Sequence, residues 1–388
     1  MCADYARDKK TTKKAVAGRS GRCVCYIIEK GVMVLRRDAI YVVYGEDPQA
    51  MVFFALRKLH LAIDPSWRVG IKPNLVVAKP ATSGATTSPG LVAGLVQYLQ
   101  EQGVRDITIM ESSGLGQDTK KAFRVSGIEE VARKYRLRLV DLKGTPAQKM
   151  NGPHYHGQVF QEALSIDYLI NLPVVKAHCQ TNITCALKNL KGLIPDSEKR
   201  RFHSQGLHRP IAGLNTVLKS DLVIADGIMG DLTFEEGGTP VRMDRILLAQ
   251  DPVLLDAYVA ELLGYQTEEI PYIGLAEELG VGSTQGDVLE LNRDLGVAKE
   301  FQRDRKVARL TEKVEAHAAC SVCYGALVHA LERLRASGVK ISAPIHIGQE
   351  FQGQTGAGIG IGRCADGFSR HVGGCPPSAR AIVEFLQR

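Results

Sequence analysis

From residue 34 to about residue 280, short runs of β-branched and aliphatic residues alternate with longer segments whose apolar positions recur every three or four residues. The first pattern predicts strands over 34–44, 68–71, 107–110, 137–141, 168–172, 222–225 and 245–249. The second predicts helices over 49–59, 119–135 and 252–263. A further helix starts with Ser88 as cap and Pro89 at its first position, and carries Leu91, Val92, Leu95, Val96 and Leu99. Strands alternating with helices in this way fold as a largely parallel sheet with helices packed on its faces. The expected fold class is α/β.

The pattern changes after residue 295. Residues 296–319 are charged and helix-prone, above all over 297–316, and read as a helical linker. Residues 320–388 hold four cysteines, a glycine-rich run over 353–362 and a final amphipathic helix, which predicts a smaller C-terminal α/β module. Residues 1–32 are basic and poor in apolar residues, which predicts a disordered tail with folding from Met33, itself an alternative start. The expected organisation is a tail (1–32), an α/β domain (33–295), a linker (296–319) and a cysteine module (320–388), without internal repeats.

The formal net charge of +7 does not mark a nucleic-acid binder. Residues 1–22 carry Arg7, Lys9, Lys10, Lys13, Lys14, Arg19 and Arg22 against Asp4 and Asp8, so the rest of the chain is close to neutral. No apolar run approaches the roughly 20 residues that span a bilayer, and the patch from Val24 to Ile28 is too short for a signal-peptide core. A cytoplasmic protein is expected, with neither a nucleic-acid nor a membrane partner. In that compartment nine cysteines point to metal or redox chemistry rather than to disulfides.

Four of them form a pattern. Cys320 and Cys323 make a CxxC, Cys364 follows Gly362-Arg363, and Cys375 follows Gly374 and precedes two prolines. Cys323 and Cys375 each lead into a predicted helix, whose N-terminal partial charge and free N–H groups favour thiolates. Neighbouring glycines let backbone amides approach bridging sulfides. This predicts a 4Fe-4S cluster on Cys320, Cys323, Cys364 and Cys375. Zinc on the same thiols is the alternative, although zinc ribbons favour two close pairs and the second pair here is split by ten residues. Cys2, Cys23, Cys25, Cys179 and Cys185 lack such a context. The 362–365 and 374–377 segments resemble the cluster-ligating end of the small subunits of nickel–iron hydrogenases and respiratory complex I, from which the CxxC departs.

In the α/β domain, polar clusters fall at predicted strand ends, where open α/β sheets place their ligands. Lys72, Lys176, Lys188 and Lys191 would form a positive pocket for a carboxylate or phosphate, with Asn74 beside them. His178, His203, Glu111 and Asp226 supply candidate proton donors and acceptors. The competing structural readings are a core histidine at 178, a plain turn at Asp226-Gly227, and a solvated face at Lys199, Arg200 and Arg201. The glycines over 356–362 lack the dinucleotide-binding spacing, and neither a P-loop nor a GxSxG elbow is present.

The segments IKPNLV (71–76), INLPVVKAH (170–178), ALKNLKGLIP (186–195), IADGI (224–228) and Asp251-Pro252 through Asp256 resemble the family known as domain of unknown function 362. That resemblance implies an α/β fold and an accompanying iron–sulfur module, and names no substrate. The order His178, Lys188, Pro195, His203 also resembles nickel-pincer lactate racemases, whose Gly-Gly-Arg-Lys core is absent here. The function expected is an electron-transferring oxidoreductase. His178, Lys188, His203 and Asp226 would be its catalytic groups, and Lys72, Asn74, Glu111, Lys176 and Lys191 would bind a small anionic molecule. A ferredoxin-like protein would be the electron donor or acceptor. The alternatives are a non-catalytic cluster carrier or sensor, a structural zinc protein, and a relative of the racemases.

Overall fold

A computed structural model describes residues 34–233, 239–292, 301 and 305–387, together with the backbone of two short strands over 12–17 and 23–28. The expected alternation is present. Eight strands form the path of the main sheet, in the order Asp287–Glu290, Ala39–Tyr44, Pro240–Ala249, Leu222–Asp231, Tyr168–Leu172, Val69–Pro73, Ile107–Glu111 and Arg138–Asp141. From Leu222–Asp231 to Arg138–Asp141 every neighbouring pair is parallel, and Pro240–Ala249 runs against both of its neighbours. Val174–His178 pairs in parallel with Leu222–Asp231 and turns back antiparallel through Asn182–Thr184.

The central strands are apolar throughout because both faces are covered. One face packs on the helices Pro48–Lys58 and Pro89–Glu101, the other on helices between Ala186 and Leu262. Asp47 and Asp251 each accept two backbone N–H groups at a helix start with proline in the first turn, which fixes where those helices begin. The helix expected over 119–135 is two, Thr119–Val125 and Ile128–Tyr135, broken at Gly127 with φ +81°.

Strand order sets the site. From Val69–Pro73 the chain moves outward to Ile107–Glu111 and Arg138–Asp141, then returns to the other side of Val69–Pro73 as Tyr168–Leu172. The connections reverse direction there, and a crevice opens at the carboxyl ends of the strands. Lys72 and Glu111 stand at those ends.

The tail expected to be disordered contains an antiparallel pair, Thr12–Ala17 with Cys23–Ile28, consistent with the β propensity of its Val-Cys-Tyr-Ile-Ile run. The rest of 1–33 lies outside the described residues. The expected linker helix is also corrected. Its described portion is a short helix, Lys306–Leu310, and a strand, Val314–Ala316, while 297–300 and 302–304 lie outside the described residues. Val314–Ala316 is an edge of a four-stranded parallel sheet with Ile345–Ile347, Gly356–Ile361 and Phe368–Val372. Val307, Leu310 and Val314 join the apolar core of this second unit, packed with the helices Ser321–Ala336 and Ala379–Leu386. The segment therefore starts the module rather than leading to it.

Candidate functional site at the seam of the two units

A cavity of about 480 Å³ opens at the strand ends. Its walls include Lys72, Asn74, Glu111, Lys176, His178, Lys188, Lys191 and His203, eight of the nine positions singled out in the α/β domain. Asp226 is not among them. It is buried and accepts from the backbone N–H of Ser88 at 2.7 Å and of Ile228 at 3.0 Å, so it ties the start of the Pro89–Glu101 helix to the sheet. Burial pushes its pKa up to about 6. It is architecture.

The inner wall is a polar network. Lys72 Nζ donates to Glu111 Oε2 at 2.7 Å, to the Pro73 carbonyl at 2.7 Å and to Asn189 Oδ1 at 3.1 Å. Burial lowers the Lys72 pKa, against the pull of Glu111. Asn74 donates to the same Asn189 oxygen at 2.8 Å and accepts from Lys176 Nζ at 2.7 Å. Lys176 also donates to the Ala85 carbonyl at 2.6 Å. Gly192 lies against the Lys72–Glu111 pair: a Cβ there would stand 2.0 Å from Glu111 Oε1 and 2.7 Å from Lys72 Nζ. Only glycine fits.

Asn189 belongs to the short helix Ala186–Asn189, whose start is held by Asp256. That carboxylate accepts from the N–H of Ala186 at 2.7 Å and of Leu187 at 3.2 Å. Burial raises its pKa to about 7. Lys188, on the same helix, donates to Thr184 Oγ1 at 3.1 Å.

Lys199 does not lie on the solvated face that its charged run suggests. Its side chain is buried and its Nζ donates to Ser112 O and Ser112 Oγ, both at 2.7 Å, and to Ser113 O at 2.8 Å. Desolvation lowers its pKa to about 8. A signal was present in the sequence, because Asp196, Lys199 and His203 recur at i, i+3 and i+7 and so share one face of the Asp196–Gln205 helix. Arg200, on that helix, also lines the cavity and is exposed.

The second unit closes the cavity with Cys320, Ser321 and Val322. Ser321 Oγ lies 2.5 Å from His203 Nδ1 and donates to Gln180 Oε1. Gln180 Nε2 donates to the Ala319 carbonyl at 2.8 Å. Neither Gln180 nor Ser321 stands out in the sequence, since each matters only through a partner on the other unit.

Cys320 caps the Ser321–Ala336 helix, and Cys323 lies in its first turn. The final helix starts at Ala379 with Ser378 as cap, three residues later than the prolines implied. Thiol pKa values rise here instead of falling. Burial, then the charges of Cys364 and Cys375, push Cys320 up, and burial with Cys320, Cys375 and Cys364 pushes Cys323 to about 11. Cys320 and Cys323 thus each feel the charges of Cys364 and Cys375. Among the described residues, no three His, Cys, Asp or Glu side chains converge as they would around a single metal ion. Gly362 and Gly374, with φ +83° and +124°, bring main chain beside these thiols, and a Cβ at Gly362 would touch Cys323 Sγ at 3.8 Å. Four cysteines with glycines next to Cys364 and Cys375 are the donor type that thiolate-ligated clusters use.

Residues 69–261 match the family described as Domain of unknown function (DUF362). The matched segment contains every cavity residue of the α/β domain and ends before the cysteine module. Thylakoid-associated protein sll1697 from Synechocystis sp. (strain ATCC 27184 / PCC 6803 / Kazusa) is 27% identical to this chain over 237 residues, which is 58% of this chain and 72% of that relative. The lactate racemase apoprotein from Thermoanaerobacterium thermosaccharolyticum aligns with a TM-score of 0.40 and 8% identity, over 67% of this chain and 63% of the racemase. The chain thus spans less than two thirds of that structure, and a likeness this distant carries no functional argument. No helix among the described residues is long and apolar enough to cross a membrane.

Proposed function

We propose that this protein is an iron–sulfur oxidoreductase that acts on a small organic anion held between the DUF362 domain and the cysteine module. One observation carries this reading. Cys320 lines the same cavity as Lys188, Lys191, Lys199, Arg200, His178 and His203. Whatever group that thiol holds borders the bound ligand.

Cys320, Cys323, Cys364 and Cys375 would hold the cluster, which when bound supplies or accepts single electrons. Cys375 is exposed while Cys320 borders the cavity, so the thiol group has one edge toward solvent and one toward the ligand. The outer edge suits exchange with a ferredoxin-like protein in the cytoplasm. Lys188, Lys191 and Arg200 attract the anion and orient its charged end, because low-dielectric walls strengthen the field of the cations that line a cleft. His178 would hold a proton at the ligand, where an acceptor of electrons needs one. Lys72, Lys176, Asn74 and Asn189 are spent on one another and give the inner wall its shape.

The same thiols could hold zinc, and the module would then be structural. Iron, sulfide and zinc analysis of anaerobically purified protein, with a visible spectrum, decides between them. Iron with sulfide supports the redox reading, and stoichiometric zinc without either sinks it. A carrier or sensor would need no ligand site, and the cation-lined cavity favours the enzyme over it.

A further inference from the structure

The loop from Ser112 to Gln117, which follows the Ile107–Glu111 strand, is held by two lysines. Lys199 takes the carbonyls of Ser112 and Ser113, and Lys143 Nζ donates to those of Gly114 at 3.0 Å and Gln117 at 2.8 Å. Asp196 lies between the two ammonium groups, 3.3 Å from Lys199 Nζ and 3.4 Å from Lys143 Nζ. The Gly114 N–H donates to the Val76 carbonyl at 3.0 Å, and a Cβ at Gly114 would stand 2.8 Å from that oxygen. A loop fixed at this many backbone groups is a preformed wall, as ligand sites generally are. It places Leu115 one residue from the Gly114–Val76 contact. Leu115 and Val76 both line the cavity, and each is only partly buried.

The module adds a third apolar side chain. Val322 is 62% exposed, the most of any large hydrophobic among the described residues, and it lines the same cavity beside Cys320 and Ser321. Its neighbour Cys323 packs against the module core instead. Apolar side chains left to water around a cavity favour a ligand that covers them with apolar surface. Arg200 supplies the charge. It lines the cavity, is exposed, and makes no ion pair or side-chain hydrogen bond with the described residues. It follows Lys199, which holds the loop, and stands one turn before Ser204, whose carbonyl lies 3.9 Å from Cys320 Sγ. The planar fork of a guanidinium matches the two oxygens of a carboxylate. At about 480 Å³ the cavity falls within the roughly 300–1,000 Å³ of sites for drug-sized ligands, and acetate or succinate would leave much of it to water.

We propose that the ligand of this cavity is an amphiphilic carboxylate: Arg200 holds its charged end, and its apolar body lies along Val76, Leu115 and Val322. The ligand then touches both units, since Val322 belongs to the module and the other three residues to the α/β domain. The inference rests on the reading of the cavity as an anion site, and deepens it by naming the kind of anion.

The test is titration calorimetry of the full chain, purified without oxygen, with straight-chain carboxylates from acetate to octanoate, with succinate and with octanol. From butyrate on, affinity should rise roughly threefold to fourfold with each added methylene, as the burial of one such group predicts. Octanol should bind at least about tenfold more weakly than octanoate, because it lacks the charge-assisted hydrogen bond to Arg200. Val322→Ser and Leu115→Ser should each flatten the dependence on chain length and leave butyrate unchanged. Arg200→Gln should weaken butyrate and octanoate by the same factor. None of these three side chains is fully buried, and a melting curve of each variant checks that it folds. Octanoate binding no tighter than butyrate, with butyrate or succinate still bound, would overturn the amphiphile and leave the anion site standing. A chain-length dependence that survives both serine substitutions overturns the placement of the apolar body. Failure of every acid to bind removes the anion site and this proposal together.

Discussion

Lys72 Nζ and Glu111 Oε2 lie 2.7 Å apart at the ends of adjacent parallel strands, with both side chains almost wholly buried. Removing one partner strands the other charge in a low-dielectric wall, which typically costs about 3–5 kcal/mol. Lys72→Met and Glu111→Gln should each lower the melting temperature of the ligand-free protein substantially. The double substitution should recover part of the loss. A single variant that melts with the wild type would show that the pair is solvated.

Lys188 should behave differently. It sits on the cavity wall, only partly buried, and donates to the hydroxyl of Thr184. Lys188→Ala should leave the melting temperature nearly unchanged and weaken anion binding by about tenfold to a hundredfold, the equivalent of one charge-assisted hydrogen bond of roughly 1.5–3 kcal/mol. Thermal melts with and without a panel of small carboxylates and phosphate measure both effects, since a ligand that binds only the folded state raises the melting temperature. Early melting of the variant, with no anion stabilising the wild type, would make this lysine structural.

Lys199 makes stability depend on pH. Its pKa falls from 10.5 in the unfolded chain to about 8 in the folded protein because burial disfavours the charge. Between those values the unfolded chain binds more protons, so this group makes unfolding harder as pH rises from about 8 toward about 10.5. Below pH 8 both states are protonated and the full cost of the buried charge is present. Denaturant unfolding across that window should show a rising contribution in the wild type that is missing in Lys199→Met. Identical slopes in the two proteins would mean that the lysine titrates normally.

On the proposed reading the cysteines should separate into ligands and bystanders. Protein purified without oxygen should be brown and contain about four irons per chain. Cys323→Ser and Cys375→Ser should each abolish the iron, and Cys25→Ser should leave it intact. Because burial raises the thiol pKa values of Cys320 and Cys323, and a metal must displace those protons, reconstitution should proceed further as pH rises toward that range. Equal iron loss from Cys25→Ser and Cys375→Ser would refute the ligand set.

The α/β class and the positions of most strands and helices were legible along the chain because period-2 and period-3.6 patterns are local and report which face is buried. So was the place of Lys72, Glu111 and Lys176 at the crevice, because open parallel sheets place their ligands at strand ends, and strand ends can be located from the pattern. What a side chain meets there is not local. Asp226 and Glu111 each follow a run that the pattern predicts as a strand, yet one ties a helix start to the sheet and the other faces a lysine 39 residues away. Lys199 reads as surface in a charged run and is buried only because Ser112 and Ser113, 87 and 86 residues earlier, surround its ammonium. The encounter of Ser321 with His203 spans 118 residues and two packed units. Periodicity reports the burial of a face, whereas partners at such separations are chosen by how the sheet is ordered and how the second unit docks upon it. Strand order and docking decided the site, since both are settled by the packing of whole elements and not by any one segment.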